Sequence, residues 1–326
     1  MTLHVGLIGA GTHGERYLRH LRDDVDGMIP VALCRRDPEA GSRLAGELGV
    51  RHHAEASALI SNPGVDAVIV TTPPSSHFLL AKRVLEAGKA LLLEKPMTAT
   101  LREARRLVAM ESTTSAPPLM LAQTLRWNPV VQRVRELWPR LGKVHLIRLA
   151  QRLEPTDLAW QRERTETVGG SVLLTGVHLF DLARYLSGQE FVRVASTQRR
   201  VLNPAVEDLF LARAEVEDGT WISLEVSKYT RSRAGWLEVV GEQAQIHADY
   251  LDGRVELLVG RERERFDADA SAPTLPHVLA AWRDALATGT RPPVTATDGL
   301  RTLEVTEACY RSSHAGGQPV RIADLD

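Results

Sequence analysis

The sequence predicts a chain in two parts: an α/β half built on a parallel, doubly wound sheet, then an α+β half with a largely antiparallel open sheet. Three observations carry this reading. From Leu3 to about residue 122, continuous Val/Ile/Leu runs alternate with amphipathic helical patterns, as parallel strands covered on both faces require. From about Val144 onward strand patterns follow one another across turn signals, as in an antiparallel sheet. The 326 residues also exceed the roughly 100 to 200 of one domain. The domains read as residues 1–122 and 123–326.

The chain opens on Val5, Leu7 and Ile8, a strand pattern, followed at once by Gly9-Ala10-Gly11-Thr12-His13-Gly14. Gly9 permits a tight turn, Gly11 lets the backbone approach a pyrophosphate, and Gly14 lets the next helix pack on the strand. That helix then turns its N-terminus to the anion. A turn without ligand would use the same glycines; the strand before and the helical pattern Glu15 to Leu21 after favour a Rossmann dinucleotide site. Ile29 to Leu33 is a second strand, with Pro30 tolerated at its start, and it ends in Cys34-Arg35-Arg36-Asp37. An acid about 20 residues after the glycines holds the ribose 2′-hydroxyl of NAD, whereas an Arg accommodates the 2′-phosphate of NADP. Arg35, 21 residues after Gly14 and with Arg36 beside it, points to NADP, with NAD possible.

Ala40 to Leu48 reads as a helix, Ala67 to Thr71 as a strand, and Ser75 to Ala87 as a helix stopped by Gly88. Thr72-Pro73-Pro74 lies at a strand's carboxyl end, where open α/β sheets bind ligands, and His77 follows at a helix start. Ala90 to Leu93 is a strand ending in Glu94-Lys95-Pro96. Lysines are five against 35 arginines, and Lys95 stands at the sheet edge where a nicotinamide would lie. Leu119 to Leu125 reads as a fifth strand, followed by Arg126-Trp127-Asn128-Pro129. Beyond it the strands are Lys143 to Arg152, Phe191 to Arg200, Leu209 to Val216, Thr220 to Val226, Trp236 to Gly241 and Arg254 to Val259, with Asp218-Gly219 as a hairpin signal. Arg261 to Arg265 reads as a solvated charged face. Leu275 to Thr288 and Asp298 to His314 read as helices around a Pro turn.

The tracts GAGTHG, Thr72-Pro73-Pro74-Ser75-Ser76-His77 and Glu94-Lys95-Pro96, in that order, resemble the Gfo/Idh/MocA family of glucose-fructose oxidoreductases and inositol dehydrogenases. The resemblance implies that all three tracts serve the cofactor and that Lys95 touches cofactor and substrate and assists proton transfer. Arg126 to Pro129 looks like the family's crossover into the second domain. Arg126 either binds a polar or anionic substrate or anchors the crossover. Gly169 to Asp181 resembles the family's glycine-led helix, with Trp160 matching the Trp before it; the family places its catalytic His at 178 and an Asp at 174, where this chain has Leu. Asp181 reads as an orienting or structural partner. Family members often pair through the open sheet face, which implies a homodimer or homotetramer.

A net charge of -1 gives no general attraction to nucleic acid or anionic lipid, and no apolar run approaches the ~18 residues of a membrane span. Cys34 and Cys309 have neither metal-ligand nor disulfide-framework spacing, so the expected setting is cytoplasmic, with no metal. The leading reading is an NADP-preferring oxidoreductase that moves a hydride to or from a sugar, polyol or related small molecule. Lys95 and His178 handle the hydroxyl proton, and Arg126, Trp160 and His178 contact the substrate. Leu174 keeps two alternatives open: a catalytically silent dinucleotide sensor, or a lyase or glycosidase that retains its cofactor.

Overall fold

The computed structural model describes residues 2–112, 117–155 and 168–325. Two compact units divide the chain.

The first unit comprises Met1–Gln123 and Thr274–Leu300. Its strands are β1 (Leu3–Ile8), β2 (Met28–Cys34), β3 (Arg51–His53), β4 (Ala67–Val70), β5 (Ala90–Leu93) and β6 (Leu119–Leu121). They form one parallel sheet in the order β3-β2-β1-β4-β5-β6. Helices α1 (Thr12–Asp23), α2 (Pro38–Leu48), α3 (Ala56–Ile60), α4 (His77–Glu86) and α5 (Leu101–Glu111) alternate with them. Every residue of β4 is buried, which is why this segment reads as an unbroken apolar run and not as an alternating one. Strand order reverses between β1 and β4, so the loops leaving these two strands flank the crevice where such sheets bind ligands.

The second unit comprises Thr124–Pro273 and Arg301–Asp326. It starts with α6 (Pro129–Leu137), whose first N–H groups are capped by Asn128. β7 (Val144–Arg152) follows, then a π-helical turn over Val172–Gly176 that runs into α7 (Val177–Ser187). The remaining strands are β8 (Phe191–Arg199), β9 (Leu209–Val216), β10 (Trp221–Ser227), β11 (Ala234–Gly241), β12 (Gln245–Asp249), β13 (Arg254–Val259), β14 (Glu262–Asp267) and β15 (Val320–Arg321). The sheet order is β14-β13-β12-β11-β7-β10-β9-β8-β15. All neighbours are antiparallel except β7 and β10, which run parallel because the chain between them crosses over through α7, β8 and β9. Phe180 of α7 packs against Phe191 and Phe210 of the sheet, at ring separations of 6.3 and 6.1 Å.

Four expectations change. Arg261 to Arg265 is not merely a solvated face: Glu262–Asp267 pairs with β13 as an edge strand. Its alternating Arg and Glu carry no apolar face for a pattern to report, and such charges guard an edge against further pairing. β3 and β12 were not expected, being short and partly polar. β6 ends at Leu121 and not at Leu125, because the chain tightens into a 3₁₀ turn at Thr124–Trp127 before the Asn128 cap. The fourth concerns the contiguous second half. α8 (Leu275–Thr288) returns to the first unit, where Leu275, Val278, Leu279 and Trp282 are buried. There it contacts α1, and Arg283 donates to the Asp26 carbonyl at 3.0 Å. α9 (Ala296–His314) spans the division between the units.

Among the described residues no helix is long and apolar enough to cross a membrane.

Candidate active site

The glycine turn stands at the reversal point of the first sheet. Gly9 has φ +99, the left-handed region that only glycine enters without strain, and a Cβ there would meet the Thr71 and Thr72 backbone at 2.8 Å. A Cβ on Gly14 would stand 2.4 Å from the Gly9 carbonyl oxygen, so this position must be glycine for α1 to lie against the turn. Gly11 is different: its Cβ direction meets nothing within 4 Å. The first N–H groups of α1 have no side-chain cap, and Gly11, Thr12 and His13 are exposed. Uncapped helix N–H groups behind an open glycine fit a bound pyrophosphate. Thr71, whose partner lies 62 residues away and so leaves no local pattern, ties β4 to this turn by donating to the Gly9 carbonyl at 2.8 Å.

At the end of β2, Arg35 is partly exposed and Arg36 exposed. Among the described residues the Arg35 guanidinium makes no ion pair. The next acid along the chain, Asp37, caps α2, accepting from the Glu39 and Ala40 N–H groups at 3.1 Å each. Thr72 is bridged to the next turn by the Ser76 hydroxyl at 2.7 Å, and Ser76 also donates to the Pro73 carbonyl.

The Glu94-Lys95-Pro96 loop is fastened on two sides. His13 Nε2 and the Tyr17 hydroxyl both donate to Glu94 Oε1 at 2.7 Å, while the Lys95 N–H donates to Oε2 at 3.0 Å. His77 is 1% exposed and places Nδ1 2.8 Å from the Pro96 carbonyl and Nε2 2.7 Å from the Thr72 carbonyl. Burial lowers the His77 pKa against these two bonds, and a neutral ring can donate to only one of the carbonyls. Glu94 and His77 read from the sequence as cofactor contacts; in the structure their polar atoms meet protein groups, and what they do is hold the Pro-rich loop, the lysine loop and α1 together. Tyr17 was missed because its partner lies 77 residues away and an aromatic on the inner face of a helix reads as core.

Burial also lowers the Lys95 pKa, with Glu94 opposing the shift. A lysine so placed is more readily found as the neutral amine, the form that can take up a proton, than an exposed one. For Glu94, burial would raise the pKa, but the His13 hydrogen bond and charge, the Lys95 charge and the Tyr17 hydroxyl bring it from 4.5 to about 2. A depressed carboxyl stabilises the fold above its unfolded pKa, and that contribution fades as pH falls toward the native value. Between about pH 4.5 and 2, wild type should therefore lose on the order of 3 kcal/mol more than Glu94→Gln. Urea unfolding of both proteins across that range checks it; parallel curves would refute it.

In the second unit, His178 is the second residue of α7 and partly exposed. The four-residue spacing from Leu174 to His178 crosses the π turn, where hydrogen bonds close five residues apart, so the two side chains do not stack as on a regular α-helix. Leu174 is buried. Asp181, also buried, accepts from Arg126 Nε at 2.8 Å and from Nη2 at 2.6 Å. The Tyr185 ring lies 5.1 Å from the same guanidinium, and Gln132 donates to the Arg126 carbonyl. These contacts correspond to the crossover-anchoring alternative for Arg126. Trp160 lies outside the described residues.

Residues 3–121 match a family described as an oxidoreductase family with an NAD-binding Rossmann fold, and residues 139–322 match the C-terminal alpha/beta domain of the same family. Inositol 2-dehydrogenase 1 of Saccharopolyspora erythraea is 30% identical over 339 residues, covering 100% of this chain and 98% of that protein. D-apiose dehydrogenase of Paraburkholderia graminis is 29% identical, over 95% of this chain and 87% of the relative. Among solved structures, GenD2 from gentamicin A biosynthesis, in complex with NAD, superposes with a TM-score of 0.87 at 26% identity, over 98% of this chain and 96% of that one. Levoglucosan dehydrogenase in complex with NADH shares the fold, with a TM-score of 0.88 at 20% identity over 99% of both chains.

Proposed function

This chain belongs to the Gfo/Idh/MocA oxidoreductase family, and on that premise we propose that it is a nicotinamide-dependent dehydrogenase oxidising a CH–OH group of a sugar or cyclic polyol. The observation that carries the reading is Lys95, at the carboxyl edge of β5, with its pKa lowered by burial and its loop fastened to α1 through Glu94. A nicotinamide bound there would supply the hydride acceptor or donor. Lys95 and His178 hold and move the proton of the substrate hydroxyl, Gly9 to Gly14 and the α1 N-terminus take the pyrophosphate, and Thr72 to Pro74 border the cofactor. Inositol and apiose dehydrogenases among the relatives support the substrate class.

The preferred cofactor in this reading is NADP. Arg35 stands where the ribose 2′ position is read, and the neighbouring acid is engaged as a helix cap. A charge-assisted contact with a 2′-phosphate favours NADPH over NADH by about ten- to a hundredfold. Titration of both cofactors into wild type and Arg35→Asp tests this: tighter NADPH binding that is lost in the variant is the expected result, and equal wild-type affinities would refute it. Substrate is tested by following nicotinamide absorbance with myo-inositol and a panel of sugars and polyols. A panel with no turnover would count against the enzyme reading.

We further propose a homo-oligomer formed through the outer face of the second sheet, in the cytoplasm. That face exposes Trp221 and Leu211, amid the cross-strand pairs Arg148–Glu238 and Arg152–Glu225 at 2.6 and 2.7 Å.

A further inference from the structure

Glu207 has no place in the machinery above, yet it organises the start of the helical run that carries His178. Its Oε1 accepts from the Gly170 and Val172 N–H groups, at 3.1 Å each, and from the Tyr310 hydroxyl at 2.9 Å. Its backbone carbonyl accepts the Ser171 N–H at 2.8 Å. One residue thus takes the N–H groups of three consecutive positions, the groups a helix start leaves without internal partners. Ser171, at the N-cap of the π turn, makes no side-chain cap.

The glycines of this tract are what let Glu207 and Tyr310 approach. A Cβ on Gly170 would stand 1.9 Å from the Glu207 carbonyl oxygen, and one on Gly169 would stand 2.5 Å from the Tyr310 hydroxyl. Just before them Val168 has φ 63, a left-handed conformation that a β-branched residue adopts only under constraint. Glu207 is 9% exposed, and burial raises its pKa against the hydrogen bonds it accepts. Two residues on, β9 begins, so the helix start is tied directly to the sheet.

The π turn that follows is a rare geometry holding one more residue than an α turn. Relaxing it to α form would displace either the helix start or α7 by a residue. The three N–H bonds to Glu207 hold the first, and packing of Phe180 on the sheet holds the second.

We propose that Glu207, backed by Tyr310, is a positioning residue for His178: by fastening Gly170 to Val172 it maintains the π turn and sets the direction in which the imidazole is presented. The inference rests on His178 as the acid-base group. Three variants of the full chain test it, Glu207→Gln, Glu207→Leu and Tyr310→Phe, with NAD(P) and myo-inositol and with ¹⁵N-histidine labelling. The His178 ring resonance is identified by its loss in His178→Gln. Glu207→Gln retains an acceptor oxygen and should stay near wild type. Glu207→Leu should lower kcat by about 10- to 100-fold, as for a misplaced catalytic group, with the NAD(P)H Kd unchanged and the His178 resonance shifted. In a His178→Ala background it should cost nothing further. The same loss in that background, or an unmoved resonance, would overturn the proposal. Should Glu207→Leu not fold, Tyr310→Phe carries the test through a smaller shift of the same resonance. If His178→Ala proves fully active, the acid-base reading falls, whereas the resonance still decides whether Glu207 positions the ring.

Discussion

His178→Ala is expected to turn over its substrate about 10²- to 10⁴-fold more slowly than wild type, the range in which positioned acid-base groups contribute. The dinucleotide Kd should stay within a factor of two or so, because every residue proposed to hold the cofactor lies between Gly9 and Lys95. The loss should therefore fall on kcat and not on cofactor binding, the pattern of an interaction made in the transition state. Steady-state rates with myo-inositol and sugars, paired with a fluorescence titration of the reduced cofactor, separate the two quantities. A variant as fast as wild type would remove His178 from the mechanism. Position 174 sharpens the comparison. Without a carboxylate there, the fall measures the imidazole unaided by the acid that the family pattern places in the same helix.

Arg126→Ala is expected to destabilise the second unit by roughly 3 to 5 kcal/mol, the usual result of removing one partner from a buried ion pair. Asp181 is 2% exposed and both its oxygens face the guanidinium, so the substitution leaves a buried carboxylate uncompensated. Pairing Arg126→Met with Asp181→Leu should recover much of the loss, since the remaining cost is one of packing and not of an unpaired charge. Urea unfolding of the single and double variants measures this. Had Arg126 served mainly to bind substrate, Arg126→Ala would leave stability intact and raise KM instead. The experiment therefore decides between the two roles the sequence left open.

How far the site could be read in advance depended on whether each residue's partner was local. The glycine turn was legible because its demands, a positive φ at Gly9 and close approach at Gly14, lie within a few residues of chain. His178, and the proton-transfer role given to Lys95, were reached through motif resemblance, which carries position but not surroundings. Tyr17, Thr71, Glu207 and Tyr310 escaped notice. Each works through a hydrogen bond to a residue 62 to 103 positions away, and no periodicity or spacing reports such a pair.

The sequence by itself determined the α/β character of the first half, the largely antiparallel character of the second sheet, the family, and the glycine turn from Gly9 to Gly14. Those follow from apolar periodicity and from backbone conformations that only particular residues permit, both local properties. Only the tertiary structure decided that α8 returns to the first unit, that Glu94 and His77 bind loops together, that Arg126 meets Asp181, and that a π turn held by Glu207 precedes His178. These are pairings between distant segments. A buried polar group must find a partner once water is excluded, and which partner it finds is settled by packing that no single stretch of chain contains.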